Sequence, residues 1–118
     1  FKIKVLKSNR RTIGRKAMKI INVTNNYPDL VREQLRNTDA LTVEVYSAGN
    51  TTVIFTRAAK HYELIVTNKH RAIRPDERED IQKFFLKKRL DQSIIDHDQI
   101  SIIDEPRLLE ISYPIITK

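Results

Sequence analysis

The sequence predicts an α+β fold: a largely antiparallel sheet carrying two helices, in the order β-α-β-β-β-α-β-β. Three observations predict it. Two β-rich runs, Leu41 to Ser47 and Thr51 to Thr56, flank Ala48-Gly49-Asn50, a hairpin pattern in which Gly49 can take positive φ. A segment opening at Pro75 places acids at its start and bases at its end, as a helix dipole favours. Two further strand patterns, Gln99 to Ile103 and Leu108 to Tyr113, meet at Asp104-Glu105-Pro106.

Each element has a local reason. Lys19 to Thr24 is β-rich and reads as the first strand, broken by Asn25-Asn26. Pro28 suits a first helical turn and Asp29 its positive end. Leu30, Val31 and Leu35 make one apolar stripe, and Asn37 is a stop. In the hairpin, Val43 and Val45 should face one side and Glu44 and Tyr46 the other, with Val53 and Phe55 as the row matching the valines. His61 to Thr67 completes a three-stranded meander. The second helix should run from Pro75 to about Leu90, with Ile81, Phe84, Phe85 and Lys88 on its inner stripe and Glu79 paired to Lys83.

The charge is divided unevenly. The 118 residues carry a formal +7, and residues 1–17 hold seven cations and no acid. Residues 18–118 are balanced, so we expect two parts: a basic N-terminal extension, 1–17, and one α+β domain, 18–118. Met18 is the single methionine and stands at the join. Either the extension is an arm for a polyanion, or Met18 is the true start and the extension is not native; the second reading is the expectation. Phe1-Lys2-Ile3-Lys4-Val5 alternates like a half-buried strand and could add to a sheet edge.

Composition narrows the chemistry. Without cysteine there is no thiolate catalysis, disulfide or Cys-based metal site, and the chain fits a reducing compartment. Two glycines, Gly14 and Gly49, cannot build a phosphate-cradling Gly-rich loop, so no cofactor is expected. No apolar run spans a bilayer. His61, His70 and His97 lack helical zinc spacing. Asp96-His97-Asp98, followed by Asp104-Glu105, is the densest set of hard-cation ligand types. We read it as a solvated acidic turn, with catalysis by Asp96, Asp98 or Glu105 beside His97 the least favoured reading.

One basic cluster is the candidate site. Lys69, Arg71, Arg74 and Arg78 stand at the mouth of the second helix. They suit an anion or nucleic-acid contact, because Arg engages phosphate through two N–H groups. Against this, Tyr46 and Tyr62 are few aromatics for stacking bases. Residues 68–90 carry a net +4 and residues 91–118 a net −4, which suggests pairing within the fold or across a homodimer.

From Met18 the wording resembles a known family. Met18-Lys19-Ile20-Ile21-Asn22-Val23-Thr24-Asn25-Asn26-Tyr27 carries the likeness, with Gln34-Leu35, Asn37-Thr38-Asp39-Ala40 and Val45-Tyr46-Ser47. So do Gly49-Asn50-Thr51-Thr52-Val53-Ile54 and the stretch from Asn68-Lys69 to Ile73-Arg74. This is similar to domain-of-unknown-function family 1827, small uncharacterised proteins of lactic-acid bacteria, over roughly residues 18–103. The resemblance implies a short cytoplasmic protein starting at Met18, and no reaction, ligand or catalytic residue. The expectation is therefore a cytoplasmic, non-enzymatic binding or regulatory module acting through protein–protein contacts. Nucleic-acid binding through the basic extension and Arg71, Arg74 and Arg78 is the alternative.

Overall fold

A computed structural model describes residues 20–116, apart from the side chains at 37 and 38. The basic extension, its strand-like start and Met18 lie outside the described residues. The elements are β1 (Ile21–Asn22), α1 (Pro28–Thr38), β2 (Ala40–Ala48), β3 (Thr51–Ala58), β4 (His61–Asn68), α2 (Pro75–Lys88), β5 (Ser101–Glu105) and β6 (Leu108–Pro114). The strands form one antiparallel sheet in the order β1-β2-β3-β4-β6-β5. The α+β architecture and the predicted order of elements are both present.

The first strand is shorter than its β-rich sequence suggests. Asn22 turns the chain: its Oδ1 accepts from the Thr24 backbone N–H at 3.0 Å and from the Thr24 hydroxyl at 2.6 Å. Asn side chains make such local turns at the expense of a ladder. The Thr24 hydroxyl then accepts the Val45 N–H at 3.0 Å, in place of a backbone carbonyl.

The β2–β3 register departs from expectation by one residue. Ala48 pairs with Thr51, leaving the two-residue turn Gly49-Asn50 rather than a three-residue one. Gly49 has φ +63° at the first central position, where a tight hairpin turn demands it. A one-residue slip exchanges faces. Val53 therefore lies opposite Tyr46 and Phe55 opposite Glu44, while Val43 and Val45 lie opposite Thr56 and Ile54.

Both faces of this hairpin are consequently buried. On one face, Tyr46, Val53, Phe55, Leu64, Val66, Ile111 and Tyr113 pack with Ile81, Phe85 and Leu86 of α2. Phe85 meets the Tyr46 ring edge-on at 4.9 Å and the Phe55 ring at 5.2 Å. Lys88, expected on the inner stripe, is exposed; Leu86 and Leu90 are buried in its stead. On the other face α1 lies over β2, where Val43 and Val45 are buried, as is Thr56 on the neighbouring β3. Gln34 of α1 donates to the Thr56 hydroxyl at 3.4 Å. Beyond α1, no described helix lies over that second face across β4, β6 and β5.

Gly49→Ala should lower the unfolding free energy by about 1–2 kcal/mol, because an added Cβ is strained at positive φ. Nothing lies within 4 Å of that Cβ, so urea denaturation should report backbone strain with the sheet intact.

Candidate functional site

The predicted basic cluster lies on the connection between β4 and α2. Asn68 ends β4, and its Oδ1 accepts the backbone N–H groups of His70 and Arg71 at 2.9 and 3.1 Å. The connection is stitched to the β5–β6 turn, with Asn68 N–H on the Arg107 carbonyl at 3.2 Å and Ile73 N–H on the Pro106 carbonyl at 2.7 Å. This brings residues 68–74 and 105–107 to one end of the sheet.

There the arginines divide. Arg71 makes a two-pronged contact with Glu77, at 2.6 and 2.8 Å. Glu77 also accepts the Arg74 N–H at 2.9 Å and the Thr51 hydroxyl at 3.3 Å, and that hydroxyl accepts from Asn68 Nδ2 at 3.2 Å. The Arg71 hydrogen bonds hold the buried Glu77 carboxyl at about 2, well below its ordinary 4.5, against a burial effect of opposite sign and with help from the Arg74 N–H. Arg78 donates to the Ile73 carbonyl at 3.2 Å, the Pro106 carbonyl at 3.1 Å and the Asp104 carboxylate. Its side chain is only 14% exposed.

The four predicted cations thus share one end of the molecule but do not converge on a common point. Arg71 and Arg78 serve as clasps, while Lys69 and Arg74 are exposed. Exposed Arg107, which the sequence reading passed over, reaches the Lys69 carbonyl at 3.5 Å. The Arg78–Asp104 pair also shows that residues 68–90 and 91–118 join their opposite charges within one chain.

The acidic candidates hold local structure. Just before them Asp91, not itself a candidate, accepts from Ser93 N–H at 3.1 Å and from its hydroxyl at 2.6 Å. Asp96 accepts the Asp98 N–H at 3.3 Å, and His97 Nε2 lies 3.3 Å from the Gln92 carbonyl. Both Asp91 and Asp96 start short 3-10 turns, Gln92–Ile94 and His97–Gln99. Among the described residues no three His, Asp or Glu side chains group closely enough to hold a metal ion. A recess of about 330 Å³ is lined by Thr24, Asn25, Pro28, Val31, Arg32 and Leu35, with neither acid nor histidine. Tyr46 and Tyr62 are buried against α2 rather than presented for stacking. The Tyr46 hydroxyl donates to Glu44 at 2.8 Å, and Arg89 from the end of α2 clasps the same carboxylate at 2.9 Å. Burial, then the Glu44 contact, pushes the Tyr46 hydroxyl far above its ordinary range.

What the sequence reading missed is the sheet edge. Among the described strands β5 lies at one edge of the sheet, opposite β1, and all five of its residues are exposed. Ile102 is 38% and Ile103 48% exposed. By register, Ile103 continues a row on the α1 side of the sheet through Glu110 and Ile65 to Ile54. The apolar run Ile102-Ile103 was legible; its place at an edge was not, because strand order is a non-local property.

Comparison with known proteins follows this geometry. The family described as "Domain of unknown function (DUF1827)" matches residues 18–114. The chain belongs to this family. The match runs from Met18, the residue where the charge excess ends, to the end of β6. The chain is also similar to a conserved protein of unknown function from Streptococcus thermophilus LMG 18311, known from a crystal structure. The two are 50% identical, with a TM-score of 0.80 over 86% of this chain and 100% of that one. No curated protein matches the chain. Among the described residues no helix is long and apolar enough to cross a membrane.

Glu77→Gln should destabilise the protein by about 2 kcal/mol at neutral pH, since it weakens a buried charged hydrogen-bond set. Folding depresses the Glu77 pKa, so its stabilisation is fully present above 4.5 and fades as pH falls towards 2. Denaturation across that range should show the two proteins converging in acid. A constant difference would contradict the role given to Glu77.

Proposed function

We propose that this protein is a non-enzymatic binding module that works through protein–protein contacts at the β5 edge and the open sheet face beside it. The observation that carries the reading is β5 itself: an exposed edge strand with two adjacent isoleucines. An edge offers unpaired backbone donors and acceptors, and natural proteins usually blunt it with charge, proline or a covering element. Here the acid nearest the isoleucines, Asp104, is neutralised by Arg78. Addition of a partner strand is a recurrent mode of recognition at such an edge. The commitment of Arg71 and Arg78 to acceptors inside the fold supports this reading over nucleic-acid binding. A bacterial cytoplasmic location is part of the proposal and rests on the family resemblance.

A photoreactive amino acid placed at Ile103 should yield discrete protein adducts in native cells, insensitive to nuclease. The same group at Arg74 should yield few. Nuclease-sensitive adducts from position 74, with none from 103, would overturn the reading in favour of nucleic acid.

A further inference from the structure

We propose that the partner of β5 is β5 of a second copy, paired antiparallel about a two-fold axis through Ile103 to give one twelve-stranded sheet. This rests on the protein-binding reading and names its occupant. A two-fold axis normal to the sheet keeps each face continuous, so the axis must pass through a residue and not between two. Three positions are available, and two are unfavourable. Centring on Asp104 sets that carboxylate opposite its own copy. Centring on Ile102 sets Asp104 opposite Ile100, which is buried before the strand begins.

Centring on Ile103 uses the whole strand from Ser101 to Glu105. On the open face Ile103 meets Ile103 of the second copy, and the Ser101 hydroxyl can donate to the Glu105 carboxylate opposite. On the α2 face Ile102 lies opposite Asp104, whose charge Arg78 of its own chain neutralises. No like charges stand opposite each other in this register. The row Ile54, Ile65, Glu110 and Ile103 then continues into the same row of the second copy. A five-residue strand is only about 17 Å long. Its pairing falls short of the roughly 1,200 Å² that stable complexes bury, so the dimer is reversible, with micromolar or weaker affinity.

Sedimentation of the full chain should show mass rising from monomer towards dimer with concentration. Ile103→Lys should hold the chain monomeric with an unchanged circular dichroism spectrum and melting temperature. Because the sequence has no cysteine, disulfide trapping is clean. Ile103→Cys should cross-link to itself under mild oxidation, since opposed strand residues lie within disulfide reach. Ser101→Cys and Glu105→Cys should cross-link when mixed, and neither alone. A monomer at every concentration without a 103–103 disulfide, or a dimer that survives Ile103→Lys, overturns the proposal. Protein adducts from a photoreactive group at 103 in a strictly monomeric chain would leave the protein-binding reading standing with a different partner. Absence of both would end both.

Discussion

Ala48 opposite Thr51 is the pairing on which the two faces of the sheet depend. Gly49 and Asn50 leave two residues for the turn, and the positive φ at Gly49 closes it. That single register sends Tyr46, Val53 and Phe55 to one side and Val43, Val45 and Thr56 to the other. With three residues in the turn, Val53 and Phe55 would have joined the valines, and α2 would have lost much of its packing surface. Helices on opposite faces follow from this division. α2 covers the aromatic side and α1 the smaller β-branched side.

A second constraint fixes the far end. Asn68, Thr51, Glu77 and Arg71 form a continuous set of hydrogen bonds that ties the end of β4, the start of β3 and the first turn of α2 together. Arg78 extends the attachment to Asp104 and the β5–β6 turn. Two of the charges that resemble an anion site in the sequence, Arg71 and Arg78, are therefore structural ties in the fold. Burial makes such ties specific: a desolvated carboxylate needs several donors, and Glu77 receives them from Arg71, the Arg74 backbone and Thr51. The same ties position β5, whose exposed edge carries the proposed contact.

Much of the fold was legible locally. Pro28 and Pro75 marked both helix starts, the acid-to-base gradient gave α2 its length, and β-rich runs between turn residues identified the five longer strands. Shortening of β1 was also encoded locally, in Asn22 and Thr24, but as side-chain turn chemistry that β-propensity does not record. Of the four predicted cations, Lys69 and Arg74 are exposed as a solvent-facing cluster implies, whereas Arg71 and Arg78 turn inward. Pairings such as Arg78 with Asp104 and Arg89 with Glu44 join residues far apart in the chain, and no local pattern announces them.

The sequence by itself determined the α+β class, the order of elements, the charge division at Met18 and the family. These are properties of short windows, where hydrophobic period, proline and dipole-matched charge act without distant partners. Only the tertiary structure decided which charges are ties and which face solvent, which residues share each face, and that β5 forms an edge. Those outcomes depend on strand order and on a one-residue register, and both are set by contacts between segments that meet only when the sheet assembles.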